Sequence, residues 1–278
     1  LDQLDDFRFG EDDLAYLADQ GFDDDFLAEL EDFEFAAEVK TPREGDLVFP
    51  FAPVARVCGN IIEAQIVETL LLNILNFESL IATKASRMRQ TAGDRTLIDF
   101  GLRRAQGYGG IQASRAAIIG GFDSTSNVHS AFCHDLVPTG TQAHSWIQSF
   151  DSELEAFRAY ADSFPDRTVL LVDTYDTLDS GVPNAITVAE ELEQRGHELV
   201  GIRLDSGDLA YLAKRSREML DEAGLDYVKI AASNQLDEHV IRSLTAQDAP
   251  IDVFGVGTQL VTAYDSPALD GVYKLAEY

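Results

Sequence analysis

The sequence predicts an α/β protein, an irregular TIM-like βα barrel preceded by part of an N-terminal α+β domain. After Gly93 the chain alternates short β-rich runs with amphipathic helical stretches, which is typical of parallel βα units. Polar or glycine-rich residues follow nearly every β-rich run, and in a βα barrel all such strand ends converge on one ligand-binding face. An open doubly wound sheet would bind ligands only near a switch point between strands, so the pattern favours the barrel.

We expect two domains, residues 1–92 and residues 93–278. In the first, short amphipathic segments up to about Phe35 predict helices. Strand-like runs from Phe35 to Val57, broken at 41–42 and 44–45 and including 46–49 and 53–57, predict a small sheet. An apolar helical pattern from Ile61 to Met88 then predicts a buried connecting helix.

In the second domain, the predicted strands are 96–100, 168–172, 199–204, 227–231 and 252–256, with a shorter one leading into Thr139. Helices are expected at 182–195 and 209–223, because each stretch carries an apolar stripe at helical spacing. Gly196 and Gly224 stand just beyond these stretches, where glycine commonly ends a helix.

Charge is the most unusual feature of the composition, with 49 acidic against 21 basic residues and a formal net charge of -28. A nucleic-acid backbone would be repelled by this charge, and no Lys/Arg cluster offsets it. No apolar run approaches the roughly 20 residues that cross a bilayer, and the first residues lack a secretory signal, so we expect a cytoplasmic protein without a membrane span. Our hypothesis is adaptation to molar salt, where screening removes the self-repulsion of such a surface; a merely acidic surface is the alternative.

Cys58 and Cys133 are the only cysteines. They are far apart in the sequence and match neither a Cys-x-x-Cys pattern nor a zinc-ligand spacing, so no metal site or disulfide framework is predicted. We expect both to be ordinary buried thiols.

The segment Gly255-Val256-Gly257-Thr258 follows a predicted strand. Its glycines would let backbone N–H groups approach a phosphate, with the Thr258 hydroxyl as a further donor. Glycines at a strand end are as often tight turns, and this motif alone leaves both interpretations open.

The segment from Arg203 to Asp208 places a cation and two carboxylates around one turn. Such a set can hold a ribose diol, a metal or a diphosphate. Asp205 or Ser206 could instead cap the helix that begins near Asp208. Capping does not explain Arg203, nor the acidic pair Asp173 and Asp176 at the preceding strand end, and we therefore favour a functional role.

Basic residues also cluster near one strand end, at Arg103 and Arg104, with Lys84, Arg87 and Arg89 upstream. A guanidinium fork suits a carboxylate or phosphate, although a salt bridge to one of the many aspartates is equally compatible with the pattern.

His144 is a lone histidine, and such residues are usually structural. Its neighbours Thr141 and Ser145 offer hydroxyl groups, and the segment follows a predicted strand. No cysteine or serine nucleophile signature accompanies it, so hydrolase triad chemistry is not indicated.

Together these motifs resemble, in the same order along the chain, those of the nicotinate phosphoribosyltransferase family, whose members are type II phosphoribosyltransferases. The resemblance extends from about Phe35 onward. The stretches that carry it are 76–84, 99–107, 120–128, 140–145, 171–177, 203–208 and 254–258.

The resemblance implies an enzyme that joins nicotinate to 5-phosphoribosyl 1-diphosphate, with ATP and Mg²⁺ as cofactors, in NAD salvage. It implies that ATP phosphorylates His144 and that the dimer shares its active site. The predicted catalytic residues are His144, Arg203 and Asp205. The predicted substrate-binding residues are Phe100, Arg103, Ser126, Thr141, Asp173, Ser206, Gly207 and Asn234. The predicted phosphate-binding residues are Lys84, Gly255, Gly257 and Thr258.

This sequence departs from the family pattern in two places. Tyr108-Gly109-Gly110 stands where members usually have a longer loop after Gln106-Gly107. Members also have a further N-terminal stretch, with a tyrosine that stacks on nicotinate across a homodimer interface, and more sequence at the C-terminus. We therefore expect a barrel truncated at its C-terminus.

Two alternatives stay open. Nicotinamide-using relatives carry an acidic residue near the position of Ser126, whereas Ser126 and Arg103 suit a carboxylate better. Quinolinate-using relatives, which are shorter and have other motifs, are a more distant possibility. A non-catalytic phosphate-binding barrel subunit is the alternative from another class, and the presence of His144, Arg203 and Asp205 argues against it.

Overall fold

The computed structural model describes residues 2–277, so residues 1 and 278, at the outer ends of the two expected domains, lie outside the described residues. The chain forms two compact units. The smaller contains the residues up to Asn76 and those from Asp270 onward, and the larger is Phe77–Leu269. We expected the division after residue 92. It falls earlier because Ile81, Ala85 and Met88 are buried in the core of the larger unit.

The smaller unit contains short helices and a two-stranded antiparallel sheet. Its elements are α1 (Asp2–Asp5), α2 (Glu11–Asp19), α3 (Asp24–Glu31), β1 (Glu38–Lys40), β2 (Arg56–Cys58), α4 (Ile61–Ile66) and the first part of α5 (Glu68–Ala92). Asp23 begins α3 by accepting a hydrogen bond from the backbone of Phe26. The core of this unit is a cluster around Leu4, Val67 and Leu71.

The expected small sheet is present, but only some of the predicted strand-like runs form it. Val39 pairs with Val57 across the two strands, so the partner of the second strand precedes Thr41. The run at 46–49 is not a strand, and its Leu47 and Phe49 are 83% and 70% exposed. An apolar run without a buried face has nothing to hold it in a sheet.

The larger unit is built on a parallel sheet with the strand order β4-β3-β8-β7-β6-β5. The strands are β3 (Thr96–Asp99), β4 (Ser124–Thr125), β5 (Val169–Leu171), β6 (Gly201–Leu204), β7 (Lys229–Ser233) and β8 (Val253–Val256). All neighbouring strands run parallel. The α/β class and the parallel arrangement are therefore confirmed.

The two edges of this sheet approach each other through residues 138–142. Pro138 forms a parallel bridge with Thr125 of β4, which is the short strand expected before Thr139. Farther along, the side chain of Gln142 accepts a hydrogen bond from the backbone of Leu171 in β5, at 3.3 Å. Within residues 2–277, a side chain rather than a backbone ladder thus links the edges, and the barrel is irregular at this point.

Helices follow most strands and cover the sheet. They are α6 (Gly109–Ile119), α7 (Val128–His134), α8 (His144–Ile147), α9 (Glu153–Ser163), α10 (Val182–Gln194), α11 (Leu209–Glu222), α12 (Glu238–Ala246) and α13 (Thr258–Val261). The predicted helices at 182–195 and 209–223 are α10 and α11. Gly196 and Gly224 follow them with φ of 80° and 77°, a conformation that favours glycine.

The core of the larger unit lies between the sheet and these helices. Leu97, Leu170, Ile202, Ile230 and Phe254 point from the strands into this core and are at most 1% exposed. Their burial fixes the strands, and therefore also fixes the loops that leave their carboxyl ends. Across the described helices, none combines the length and apolar character that a membrane span requires.

The expectation of two buried thiols is wrong, because Cys58 and Cys133 are both exposed. Cys58 is the last residue of β2, whose outer positions face solvent. Cys133 lies on α7, with its Sγ 3.7 Å from Nε2 of His129.

Candidate active site

Arg203 is the centre of a polar cluster at the carboxyl ends of the strands. Its Nε donates to the hydroxyl of Ser233 at 2.8 Å, and its other nitrogens donate to Thr141 Oγ1 at 2.8 Å and Asp205 Oδ1 at 3.0 Å. Its side chain is only 16% exposed. Because three side chains from three segments hold the guanidinium, its plane and position are fixed before any ligand binds.

Phe100, the residue after β3, lies against this guanidinium, whose central carbon is 4.9 Å from the ring centroid. The contact is a cation–π interaction. Gly255 makes the position of the ring possible, because a Cβ at residue 255 would lie 2.4 Å from two ring carbons. The glycine in β8 and the aromatic ring after β3 are therefore one packing unit.

Asp173 connects this centre to His144. Its Oδ1 lies 3.1 Å from Nε2 of His144, while its Oδ2 accepts from the backbone of Asp205 at 2.9 Å and from the hydroxyl of Ser206 at 2.6 Å. The Asp173 side chain is 1% exposed and that of His144 is 39% exposed. A buried carboxylate thus orients a histidine whose ring remains accessible. We call Arg203, Asp205, Asp173, His144, Thr141 and Ser233 the Arg203 cluster.

The geometry decides between the two interpretations of the acidic residues at these strand ends. Asp208 caps α11, since it accepts from the backbone of Tyr211 at 3.1 Å. Asp176 caps the turn at Thr177–Gly181 through the backbone N–H groups of Leu178 and Asp179. Asp205 and Asp173 cap no helix or turn and belong to the Arg203 cluster. Capping therefore explains only Asp208 and Asp176.

Several predicted residues lie at strand ends outside this cluster. Arg103 is exposed on a short 3₁₀ turn and makes no hydrogen bond or ion pair with another described residue. Ser126 donates its backbone N–H to the carbonyl of Asp99 at 2.8 Å, and its side chain is half-buried. Asn234 and Gly207 occupy left-handed turns with φ of 82° and 76°.

The structure supports only part of the phosphate site predicted at Gly255, Gly257 and Thr258. A Cβ at Gly257 would lie 3.3 Å from the carbonyl oxygen of Phe100, so the backbone approaches this strand end closely. Thr258 begins the four-residue helix α13. The packing role of Gly255 is established by the geometry, whereas phosphate binding by these residues stays a prediction.

Lys84, another predicted phosphate ligand, is bound by two carboxylates of the protein. Its ammonium group is buried and paired with Glu238, 2.7 Å away, and with Asp265. Burial alone would lower the pKa of Lys84, but its hydrogen bonds to Asp265 and Glu238 outweigh burial and raise it. The hydrogen bond between Lys84 and Asp265 also lowers the pKa of Asp265. A phosphate would have to compete with these carboxylates for Lys84.

Arg89, another member of the basic set, has a structural role. It donates to the backbone carbonyls of Gly121, Gly93 and Arg95 and pairs with Asp123. The salt-bridge interpretation is therefore correct for this arginine.

Sequence reasoning missed a second polar group, which we call the Asp99 network. Asp99 is fully buried at the end of β3 and accepts from Gly101 N at 2.8 Å, Ser114 Oγ at 2.7 Å and Thr125 Oγ1 at 2.8 Å. Asn127 joins by donating its backbone N–H to the Thr125 hydroxyl and its amide to Ser114. Asp99 is the first residue of the stretch 99–107, which also contains Phe100. That position was the one signal available in the sequence.

Ser233 and Gln142 were missed as well. Ser233 directly precedes Asn234, and Gln142 lies between Thr141 and His144, so their positions at strand ends were visible. Their hydrogen-bond partners could not be predicted from the sequence. The structure shows that Ser233 hydrogen-bonds both Arg203 and Asp205, which makes it part of the cluster.

These features define a class of protein, the α/β proteins with a polar cluster at the carboxyl ends of parallel strands, which is where such folds place their ligands. Residues 1–76 match the model of the nicotinate phosphoribosyltransferase (NAPRTase) N-terminal domain, and residues 96–277 match that of the nicotinate phosphoribosyltransferase (NAPRTase) family. The chain belongs to the nicotinate phosphoribosyltransferase family, and the resemblance read from its motifs is confirmed.

Similar proteins agree with this assignment. A nicotinate phosphoribosyltransferase of Bacillus subtilis is 50% identical over 99% of this chain and 56% of its own length. One from Mycobacterium tuberculosis is 47% identical over 99% of this chain and 59% of its own length. The crystal structure of human nicotinic acid phosphoribosyltransferase superimposes with a TM-score of 0.85 at 32% identity, covering 92% of this chain and 63% of that one. The chain spans a little over half the length of the curated relatives.

Proposed function

We propose that the protein containing this chain transfers the phosphoribosyl group of 5-phosphoribosyl 1-diphosphate to nicotinate. The products are nicotinate mononucleotide and diphosphate, in NAD salvage. The observation that carries the proposal is the guanidinium of Arg203, held by Asp205, Thr141 and Ser233 and stacked on Phe100. The names of the relatives from Bacillus subtilis and Mycobacterium tuberculosis support it.

In the proposed reaction, the bond from the anomeric carbon to the diphosphate oxygen breaks, and a bond to the pyridine nitrogen forms. Negative charge then grows on the leaving diphosphate and positive charge on the ribose ring. Arg203 would stabilise the negative charge on the diphosphate. The carboxylates of Asp205 and Asp173 would stabilise the positive charge on the ribose ring. Because all three are fixed in advance, little reorganisation is needed when the charges develop.

Arg103 is the residue we assign to the nicotinate carboxylate. Its guanidinium is exposed and without an ion pair among residues 2–277, so its forked donors are available. Nicotinamide lacks the carboxylate, and the same assay with nicotinamide in place of nicotinate separates the two substrates. An Arg103→Gln variant should lose the preference for nicotinate.

Mg²⁺ is the metal we expect with the diphosphate, whose charge it would neutralise when bound. No group of three or more His, Cys, Asp or Glu side chains that could hold a metal exists among the described residues. Asp205, whose side chain is 18% exposed, would hold Mg²⁺, which needs only one or two protein carboxylates when phosphate oxygens and water complete its shell.

His144 is the residue we propose ATP to phosphorylate. The terminal phosphoryl group would pass to the ring nitrogen turned away from Asp173, with release of ADP, and water would later hydrolyse the phosphohistidine. Asp173, 3.1 Å from the ring, would hold the imidazole in place and stabilise its positive charge. The partial exposure of the ring leaves room for the nucleotide.

The test incubates the full-length protein with labelled nicotinate, 5-phosphoribosyl 1-diphosphate, ATP and Mg²⁺ at high salt. We expect labelled mononucleotide and acid-labile phosphate on His144. The His144→Ala variant should lose the labile phosphate and the coupled ATP hydrolysis. Absence of product from the unmodified protein would count heavily against the reaction, and normal ATP coupling in His144→Ala would remove the role of this residue.

Adaptation to molar salt is a separate part of the proposal, supported by the net charge of -28. Salt screens the repulsion among acidic side chains, so the melting temperature should rise between low salt and multimolar KCl. An unchanged melting temperature would leave a merely acidic surface. A homodimer and a cytoplasmic location stay predictions from the sequence.

A further inference from the structure

A cleft of about 740 Å³ lies between α5 and α12, away from the Arg203 cluster. Arg87, Gln90 and Thr91 line it from α5, and His239 and Arg242 line it from α12. No hydrogen bond joins any of these side chains to the Arg203 cluster. We call it the α5–α12 cleft.

The cations of this cleft form no direct salt bridge. The side chains of Arg87, Arg242 and His239 are exposed and make no hydrogen bond or ion pair with another described residue, although Arg87 and His239 add to the effect of Lys84 in lowering the pKa of Asp265. Elsewhere arginines such as Arg158 and Arg195 pair with carboxylates. In a chain with 49 acidic and 21 basic residues, three basic side chains outside any direct salt bridge in one cleft stand out.

The two carboxylates of the cleft also bind Lys84 beneath them, so they offset the other cations only in part. Lys84 pairs with Glu238 at 2.7 Å and with Asp265, and its side chain is 4% exposed. Three formal positive charges, on Lys84, Arg87 and Arg242, stand against these two carboxylates. The cleft therefore keeps a positive charge inside a strongly negative protein, and such a local field attracts anions.

We propose that the α5–α12 cleft binds a phosphate-bearing anion with at least two phosphate groups. Two guanidinium forks on separate helices match phosphate oxygens in a bidentate way that few other side chains can. Gln90 adds a neutral donor. The volume exceeds that of a single phosphate and falls in the usual range for small-molecule sites, about 300–1,000 Å³. Among residues 2–277, no aromatic side chain lines the cleft for stacking on a base, so phosphate groups carry the recognition.

Nuclear magnetic resonance of the histidine side chains tests the proposal in the full-length protein. The chain has five histidines, and His239 alone lines the cleft. Inorganic phosphate, inorganic diphosphate and ATP are titrated separately at constant ionic strength. We expect saturable shifts of the His239 resonances with diphosphate and ATP, and binding at least tenfold weaker with inorganic phosphate. Equal affinity for diphosphate and ATP would assign recognition to the phosphates alone.

Three variants make the test specific. Arg87→Gln combined with Arg242→Gln should weaken diphosphate binding at His239 at least tenfold. Arg215→Gln, which removes an exposed arginine of α11 paired with Glu218, should leave it unchanged. Arg203→Gln should also leave it unchanged, so failure of the proposed transferase reaction and failure of this site are distinguishable.

The following results would overturn the proposal. Shifts of His239 that rise linearly without saturation, or that persist in the double variant, would mean that the cleft attracts anions only in a general way. Loss of the His239 response in Arg203→Gln would mean that the cleft is an extension of the candidate active site and not a separate one.

Discussion

Two polar groups lie at the carboxyl ends of the parallel strands, the Asp99 network and the Arg203 cluster. They differ in the partners that their carboxylates bind. Asp99 is completely buried, and all its hydrogen-bond donors are neutral groups of the protein. Asp173 and Asp205 face an arginine and a half-exposed histidine. The first arrangement satisfies the carboxylate internally, whereas the second leaves charged groups next to solvent.

This difference separates a structural role from a functional one. The Asp99 network joins β3, α6 and β4 and fixes the loop that carries Phe100 and Arg103, without an open position for a ligand. The Arg203 cluster fixes a guanidinium and an imidazole that can still meet a ligand. Substitutions in the first should therefore mainly lower stability, and substitutions in the second should mainly lower activity.

The largest expected effect is on activity, in Arg203→Gln. Removal of the fixed cation should lower kcat/KM for the proposed transfer by about 100- to 1,000-fold. Arg203→Lys should recover little, because an ammonium cannot make the three directed bonds. Chemical denaturation should show a smaller loss of stability than in Asp99→Ala, because Arg203 still reaches solvent whereas Asp99 is fully buried. A large loss of stability with unchanged activity would reverse the roles we assign to the two regions.

Asp99→Ala should have the opposite profile. Its loss leaves the hydroxyls of Ser114 and Thr125 and the N–H of Gly101 without their acceptor in a buried space, and should lower the free energy of unfolding by about 3 kcal/mol. Urea denaturation measures this loss. Asp226→Ala, at an exposed carboxylate without a hydrogen bond to another described residue, is the matched control and should change it by less than about 0.5 kcal/mol. Equal stability of the two variants would contradict the structural role of Asp99.

The same comparison shows what the sequence could predict. All members of the Arg203 cluster except Ser233 were predicted separately because each lies at or after the end of a predicted strand, even though Asp173 and His144 are 29 residues apart. The donors to Asp99 come from Ser114 and Thr125, 15 and 26 residues away, and a serine within a helix carries no local signal of its partner. Strand periodicity therefore predicts which residues reach the site, but not which of them bond to each other.

The helices and strands show a similar limit. Long elements such as α10 and α11 were predicted to within one residue, because an apolar stripe repeats over several turns and a glycine marks the end. The three-residue strands β1 and β2 are mostly exposed and offer too few positions for a pattern. The two cysteines were misjudged because their burial was inferred from the residue type and not from periodicity.

Gly255→Ala joins the two regions and should have an intermediate effect. The added methyl would lie 2.4 Å from the ring of Phe100, which must shift and move away from Arg203. We expect a loss of about 2 kcal/mol in the free energy of unfolding together with reduced activity. Gly140→Ala is the control, because nothing lies within 4 Å of a Cβ there. If Gly255→Ala kept full activity, the position of the Phe100 ring would not matter for the reaction.

The smallest effect is expected at Asp265, a third kind of carboxylate that is 47% exposed and paired by charge with Lys84. The ion pair lowers the pKa of Asp265 in the folded protein, so its contribution to stability is present above about pH 4 and is lost as the pH falls through the lowered pKa. Because the group is exposed, Asp265→Asn should cost less than about 1 kcal/mol at pH 7. Thermal unfolding from pH 7 to pH 3 should show the curves of parent and variant converging toward acid. A difference in melting temperature between parent and variant that stayed constant over this range would mean that the ionised pair does not stabilise the fold. Glu238 would then be the only stabilising partner of Lys84 among the described residues.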